Sequence, residues 1–142
     1  MTKRRVPTVE PSATGVTLPP FFGYLGMSVV RATREEAVVR MEVPEALLSP
    51  FGPAHGGAIA ALIDTAIGVA VACQLASEDR TATHELNINY ISFAKEPVVL
   101  ATARVLRLGR TVAHAEADAR CEDGTLIAKA LATFGVFRDK NR

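Results

Sequence analysis

Alternating apolar and polar residues predict most of the secondary structure of this 142-residue chain. The alternation is clearest in residues 111–120, where every second residue from Ala113 to Ala119 is alanine and the residues between them are polar. A period of two is typical of a strand with one buried face. Together with turn residues at the breaks, the pattern predicts six strands, at residues 27–32, 37–43, 83–93, 98–108, 111–120 and 126–138.

Residues 55–75 follow a different pattern, because their apolar side chains surround the whole helical wheel. Such a segment predicts a long helix that is covered on most sides. Short turns such as Asp123-Gly124 join the strands that follow it, and hairpin connections make a sheet antiparallel. A single apolar helix is buried only if the sheet wraps around it, so the predicted fold class is α+β, an antiparallel roll. Shorter helical turns are expected within residues 18–25 and 45–48.

Length and charge restrict the function classes. With 142 residues the chain fits one domain, which we place at residues 18–142 after a flexible arm of residues 1–17. Sixteen Lys and Arg against fifteen Asp and Glu give a net charge of +1, whereas nucleic-acid binding needs a clustered basic surface. Aromatic residues make up 6% of the chain and Trp is absent, so stacking platforms for single strands are not expected either.

The two cysteines, Cys73 and Cys121, lack the spacing of a metal site or a CxxC motif. No group of His, Cys and acidic residues has zinc-like spacing, so we predict no metal. The simplest compartment is the reducing cytoplasm. The arm has no apolar core of a secretory signal, and the apolar segment 56–76 contains Asp64, so neither a signal peptide nor a membrane span is predicted.

The junction between a proline-rich loop and the long helix carries the sharpest chemical signal. It runs from Ser49 through Phe51 to His55, Gly56 and Gly57. A helix N-terminus offers unpaired backbone N–H groups and a partial positive charge. Glycines expose these donors, which could stabilise the oxyanion that forms when a carbonyl is attacked. The alternative is structural: the glycines permit tight packing and the histidine caps the helix.

Asp64 is the second signal, because a carboxylate within an apolar helix is costly unless it is paired. It is either a catalytic carboxylate or a structural one that binds a loop backbone. Gly56 lies eight residues before it, which is about 12 Å along a helix. One helix therefore cannot bring both groups to one small reacting centre. Two antiparallel helices from two copies of the chain can, so an enzyme of this kind is predicted to be at least a dimer.

These residues resemble a known family. The segment HGGAIAALIDTAIGVAV at residues 55–71 is preceded by PFFGYLGMSVV and followed by THELNINYISFAKE and RLGRTVAHAEADARCEDGTLIAKALATF. In this order the segments are similar to the hotdog-fold acyl-CoA thioesterases and, among them, to the phenylacetyl-CoA (PaaI-like) subgroup. The resemblance covers about residues 20–137. It implies an antiparallel sheet wrapped around one long helix, and hydrolysis of an acyl-CoA to a carboxylic acid and free CoA.

The resemblance also implies roles for individual residues. The amide of Gly56 corresponds to the family's oxyanion hole, and Asp64 acts from the opposite subunit as nucleophile or as general base on water. His55 orients the thioester or the leaving thiolate, and Thr83, at the start of the next strand, helps to place the water. Many members carry Asn six residues before the histidine, where this chain has Ser49. The shorter side chain bears on the rate of turnover more than on the fold.

Substrate-binding residues are expected for the acyl group and for CoA. The acyl group is expected between the subunits, beside Gly57 and Phe51. Further apolar residues are expected to line its pocket: Leu47, Leu48, Ile59 and Ile63. The basic turn with Arg107, Gly109 and Arg110 suits the phosphates of CoA, because guanidinium groups bind phosphate oxygens well, and related thioesterases bind CoA near this turn. The alternative is an ordinary solvated hairpin.

The substrate implied by the resemblance is an acyl-CoA with an aromatic or medium-length acyl group. No cofactor is expected, since CoA is part of the substrate, and the expected partner is a second copy of the chain in a dimer or tetramer. Two other functions remain open from the sequence. One is a non-catalytic acyl-CoA-binding module, and the other is a hotdog dehydratase or hydratase, for which loss or gain of water replaces thiol release.

Overall fold

The computed structural model describes residues 19–141, so the predicted arm of residues 1–17 lies outside the described residues. The helices are α1 (Pro20–Tyr24) and α2 (Gly56–Ala72), and a 3-10 turn spans Glu45–Leu47. The strands are β1 (Met27–Ala32), β2 (Ala37–Glu42), β3 (Arg80–Tyr90), β4 (Val98–Leu108), β5 (Val112–Cys121) and β6 (Leu126–Phe137).

All six strands form one antiparallel sheet in the order β1-β2-β4-β5-β6-β3. β1 and β3 are therefore its two edges, and α2 packs against strands from one edge to the other. The pairing is irregular within β1, β3 and β4 and between β5 and β6. Such bulges bend a strand and increase its twist. The bends let the sheet curl around the helix.

Small residues on the sheet and large residues on the helix form the core. The inner face of the central strands is made mainly of buried alanines: Ala37, Ala101, Ala103, Ala113, Ala115, Ala117, Ala119 and Ala128. α2 supplies the larger side chains, which are almost fully buried: Ile59, Leu62, Ile63, Ile67 and Val71. Because alanine leaves room on the sheet, the branched side chains of the helix fill the space between the two, as the close packing of protein interiors requires.

The predicted fold class is confirmed, since this is the hotdog arrangement of an antiparallel sheet around one long helix. β3 differs from its predicted bounds, because it starts at Arg80 and ends at Tyr90. It pairs with β6 over this whole length, so Thr83 lies inside β3 and not at its start. Within residues 19–141, no helix combines the length and the hydropathy that crossing a bilayer requires.

One face of α2 is left partly open. Its residues are small, apart from one acid, and are exposed or only partly buried: Gly57, Ala60, Ala61, Asp64, Gly68 and Ala72. Apart from the adjacent Ala60 and Ala61, they follow one another at intervals of three or four residues and so share one side of the helix. We call this side the open face of α2. The cover predicted for the helix is therefore incomplete at the position of its single carboxylate.

Candidate active site

α2 begins at Gly56, and His55 caps it. The His55 backbone is extended, and its Nδ1 accepts a hydrogen bond of 2.8 Å from the N–H of Gly57. This contact satisfies one of the donors that a helix start leaves unpaired. A Cβ at position 57 would lie 3.0 Å from Nδ1, so glycine makes room for the cap. The amide of Gly57, predicted to contact substrate, is therefore occupied within its own chain. Because Nδ1 of His55 accepts this hydrogen bond, the N–H of the His55 ring lies at Nε2.

The N–H of Gly56 is the donor that remains. Among the residues the structure describes, none accepts a hydrogen bond from it, and Gly56 is exposed. Its carbonyl oxygen accepts a hydrogen bond of 2.6 Å from Tyr90 Oη. Burial raises the pKa of Tyr90 above its usual value, so the phenol keeps the proton that it donates. An unpaired amide at the positive end of a helix suits a developing oxyanion.

A cavity of about 430 Å³ opens beside Gly56. We call it the β3 cavity, because its walls include the end of β3 and the segment after it. Apolar and aromatic side chains dominate the lining, which includes Ser49, Phe51, Ile59, Tyr90, Phe93 and Ile127. Phe51 and Phe93 are 91% and 71% exposed, and exposed aromatics of this kind mark binding surfaces. The volume is typical of a small-molecule site.

Ser49 shapes the loop that forms one wall of the β3 cavity. Its Oγ accepts a hydrogen bond of 3.3 Å from the N–H of Phe51, and its carbonyl accepts one of 3.1 Å from the N–H of Gly52. Its own N–H donates to the carbonyl of Pro53 at 2.6 Å. The Ser49 side chain therefore stabilises this turn next to the predicted centre, and its hydrogen bond lies within the loop itself.

Asp64 lies on the open face of α2, where it is only partly buried. The hydroxyl of Thr83 donates a hydrogen bond of 2.6 Å to Asp64 Oδ1, and Thr83 stands at an irregularity in the pairing of β3. The partner is therefore a side-chain hydroxyl on a strand and not the loop backbone of the structural alternative. Within residues 19–141 no basic side chain forms an ion pair with Asp64. One carboxylate oxygen is positioned, and Oδ2 is available for chemistry.

The structure forms two separate groups within one chain. Gly56, His55 and Tyr90 make up what we call the amide half-site, and Asp64 with Thr83 makes up the acid half-site. The two half-sites are two turns of α2 apart, about 12 Å along the helix axis. The distance agrees with the spacing argument from the sequence. The predicted centre, which combines Gly56 with Asp64, is therefore not assembled within one chain.

The basic turn lies far from the amide half-site of the same chain. Arg107 and Arg110 are exposed, and a Cβ at Gly109 would lie 2.9 Å from the carbonyl oxygen of Val112, so the tight turn requires glycine. By strand register the turn is level with the first residues of β3, whereas Tyr90 is its last residue. An eleven-residue strand is roughly 35 Å long. These three predicted residues and Gly56 are not brought together within one chain.

Comparison with known proteins identifies the family. The family model of the thioesterase superfamily matches residues 51–128, more than half of the chain. The chain belongs to the thioesterase superfamily. This thioesterase is similar to the medium/long-chain acyl-CoA thioesterase YigI of Escherichia coli, with 31% identity over 132 residues that cover 82% of this chain and 85% of that protein. It is also similar to the 1,4-dihydroxy-2-naphthoyl-CoA hydrolase of Listeria monocytogenes, with 27% identity over 112 residues that cover 79% and 91% of the two chains.

A solved structure agrees with this assignment. The thioesterase is similar to a thioesterase family protein from Silicibacter pomeroyi, with a TM-score of 0.80 and 26% sequence identity. The superposition covers 85% of this chain and 91% of the other. The prediction that the protein is an enzyme of the thioester hydrolase class is confirmed by these relatives.

A second cavity, of about 330 Å³, flanks the start of α2 on the other side. Its lining includes Phe21, Leu25, Leu47, Leu48, His55 and Ala61. Leu47 and Leu48, which were expected in one acyl pocket with Phe51 and Ile59, therefore face a different cavity. Ile63 is fully buried in the core and lines neither of these two cavities. In the part of the chain that the structure describes, a cavity therefore lies on each side of the helix start.

The described residues include one group of potential metal ligands, formed by Glu96, Cys121 and Asp123. Their ligand atoms lie within 4.8 Å of one another. Sequence spacing missed the group because the first residue precedes β4 and the other two flank the turn after β5. Burial raises the pKa of the Cys121 thiol, so the thiolate that a metal requires is disfavoured. The hydrogen bond from the N–H of Thr125 holds the pKa of the Asp123 carboxyl below its usual value.

Tyr90 is the functional candidate that sequence reasoning missed. A signal was available, because the period of β3 places Tyr90 on the same face as Leu86 and Ile88, which pack against the core. An aromatic residue with a polar end, at the last inward position of a strand, can reach beyond the core. Which helix residue it reaches depends on how α2 lies against the sheet, and the strand pattern does not contain that information.

Proposed function

We propose that this thioesterase hydrolyses an acyl-CoA to the free carboxylic acid and CoA. The observation that carries the proposal is the unpaired N–H of Gly56, at the positive end of α2 and beside the apolar β3 cavity. A thioester carbonyl placed there becomes an oxyanion when it is attacked, and the amide and the helix dipole stabilise that charge. The names of the two curated relatives support CoA as the leaving group.

In the proposed reaction, Asp64 of a second copy attacks the carbonyl carbon or takes a proton from the water that attacks it. When water attacks, its oxygen forms a C–O bond to the carbonyl carbon, the C–S bond breaks, and the proton lost by water ends on the sulfur of CoA. When Asp64 attacks, its oxygen forms the C–O bond and the C–S bond breaks to give a mixed anhydride. Water then hydrolyses this anhydride, which releases the acid, restores the Asp64 carboxylate and supplies the proton for the sulfur of CoA. Thr83 holds Oδ1, which leaves Oδ2 to act. The Nε2–H of His55 is available to the leaving sulfur. CoA enters as part of the substrate and leaves as the free thiol, so the reaction uses no retained cofactor.

A dimer is part of this proposal. β3 is an edge strand with mostly exposed residues, and an edge presents a row of unpaired backbone groups. The small residues of the open face of α2 let a second helix approach closely. Antiparallel association about a two-fold axis gives each amide half-site the acid half-site of the other copy. Such dimers can pair further into tetramers.

The same association accounts for the distant basic turn. When two β3 edges run antiparallel, the end of one copy that holds Gly56 adjoins the end of the other copy that holds Arg107 and Arg110. We therefore propose that these arginines bind the phosphates of a CoA whose thioester lies at the partner's amide half-site. The copy that supplies Asp64 would then also hold the CoA phosphates.

Mixed dimers test the shared site. Gly56→Val and Asp64→Asn should each be inactive alone, because each removes one half of every site. After equal amounts are unfolded together and refolded, half of the dimers contain both chains, and each of these has one intact site, so about a quarter of the wild-type activity should return. Sites confined to one chain predict no recovery. A mixture of two separately refolded variants is the control and should stay inactive.

The acyl group is proposed to lie in the β3 cavity. Phe51, Tyr90 and Phe93 supply aromatic surfaces, and Ile59 and Ile127 supply aliphatic ones. Such a lining suits an aromatic acyl group such as phenylacetyl or an aliphatic chain of medium length.

The buried thiol of Cys121 is not in a disulfide, which supports a reducing compartment, and we propose the cytoplasm.

Thiol release from a panel of acyl-CoA esters tests the activity. Phenylacetyl-CoA, benzoyl-CoA and esters of six to twelve carbons should release CoA, with acetyl-CoA the poorest substrate because it leaves the apolar walls of the cavity uncovered. A 3-hydroxyacyl-CoA should release thiol without losing water. Loss of water without thiol release would contradict hydrolysis, and binding of every ester without turnover would contradict catalysis.

A further inference from the structure

Tyr90 makes a contact that the proposed reaction, as described above, does not use. Its hydroxyl donates to the carbonyl oxygen of Gly56 at 2.6 Å, and its ring carbons lie 3.5–3.6 Å from where a Cβ of Gly56 would be. The contact joins the last residue of β3 to the first residue of α2. It lies at the wall of the β3 cavity, directly beside the unpaired amide.

The hydroxyl of Tyr90 and the imidazole of His55 bind the two ends of one peptide group. The Gly56 carbonyl accepts from Tyr90, and the Gly57 N–H, which belongs to the same peptide plane, donates to His55 Nδ1. The plane is therefore held at its oxygen by a strand residue and at its nitrogen by the cap residue. Glycine has the widest conformational freedom of any residue, and a helix start tends to fray. Two glycines in succession need such a restraint.

We propose that Tyr90 is a positioning residue that aims the N–H of Gly56 at the substrate carbonyl. With the following peptide plane clamped, the backbone of Gly56 cannot rotate freely about its Cα, so its N–H keeps one direction. The proposal rests on the proposed function, because it assigns this amide to the oxyanion. Positioning matters because an oxyanion-hole donor acts only within a narrow range of distance from the oxygen that becomes charged.

Tyr90→Phe removes the hydroxyl and keeps the ring, so the wall of the cavity is preserved. We expect kcat for an acyl-CoA to fall about tenfold while KM stays within about twofold, since the amide is lost as a donor mainly in the transition state. Tyr24→Phe is the matched control, because Tyr24 is the other tyrosine of the chain and is 68% exposed; its kcat should not change. An unchanged kcat in Tyr90→Phe, or a change in KM alone, would overturn the proposal.

Relaxation of the Gly56 amide gives a readout that does not depend on turnover. The ¹⁵N order parameter of Gly56 should fall from about 0.85 in the wild-type protein towards about 0.6 in Tyr90→Phe, with the amides of the central strands unchanged. An equally ordered Gly56 would overturn the clamp even if kcat fell. Should Tyr90→Phe not fold, replacement of Tyr90 by 3-fluorotyrosine keeps the ring and the hydroxyl and changes the donor strength. Both kcat and the Gly56 order parameter should then differ from the wild-type values, and no change in either would overturn the proposal.

The two readouts also keep this inference separate from the proposed function. If the wild-type protein releases no thiol from any acyl-CoA, the proposed function is wrong, and the relaxation data still decide whether Tyr90 holds the Gly56–Gly57 peptide. If the wild-type protein is active and Tyr90→Phe is equally active, the hydrolase stands and the positioning role of Tyr90 is wrong.

Discussion

Asp64→Asn is expected to lower kcat for acyl-CoA hydrolysis by at least about a hundredfold while the fold and the oligomeric state are kept. The carbonyl oxygen of asparagine can still accept the hydrogen bond that Thr83 donates to Oδ1, so the contact that positions residue 64 survives. The amide nitrogen takes the place of Oδ2, and it can neither attack a carbonyl nor accept a proton from water. The variant therefore removes the chemistry and leaves the contact.

The measurement is thiol release at saturating substrate, with the oligomeric state followed by light scattering. Asp123→Asn is the control, because Asp123 Oδ1 likewise accepts a hydrogen bond, from the N–H of Thr125 at 2.8 Å, and it has no part in the proposed centre. Its kcat should stay within about twofold. A folded Asp64→Asn protein with near-normal turnover would leave the Asp64–Thr83 pair a purely structural contact.

Gly26→Ala is expected to destabilise the fold by about 3 kcal/mol. Gly26 has a φ of +72°, and a Cβ there would lie 2.3 Å from the backbone carbonyl oxygen of Glu42. Neither atom can move easily, because the N–H of Glu42 donates to the carbonyl of Gly26 at 3.0 Å and ties β2 to the start of β1. Backbone strain and steric overlap therefore add at this position.

Thermal and denaturant unfolding measure the loss of stability in Gly26→Ala, which should lower Tm by about 10 °C. Gly124→Ala separates the two causes, because Gly124 also has a positive φ, of 92°, but no atom lies within 4 Å of its would-be Cβ. Strain alone should cost about 1 kcal/mol there. Equal losses at the two positions would show that the overlap with Glu42 is relieved by a small backbone shift.

The strands were predictable because each carries its own evidence. Every second residue of β5 is buried, as the alanine pattern requires, and the bounds of β1 and β4 agree with the prediction. β3 was predicted at residues 83–93 but lies three residues earlier, at Arg80–Tyr90. Its residues are mostly exposed and its partner is β6, so its start depends on the length of another strand and not on its own pattern.

The candidate site was predictable in its residue types and not in its partners. A histidine and two glycines before an apolar helix indicate a helix cap and exposed amides, whatever the rest of the fold does. That Nδ1 of His55 would occupy the Gly57 amide and leave Gly56 unpaired depends on atomic geometry. That Thr83 would meet Asp64, and Tyr90 the carbonyl of Gly56, depends on how α2 lies along β3.

Local periodicity and spacing thus determined the elements, the order in which they occur, and the separation of about 12 Å along α2 that makes one helix insufficient for the proposed chemistry. These properties depend on backbone geometry that is the same in every helix and strand. The tertiary structure decided which amide at the helix start is unpaired, where the two cavities lie, and which strands form the edges of the sheet. Those properties arise from contacts between residues far apart in the chain, which form only when the sheet has curled around the helix.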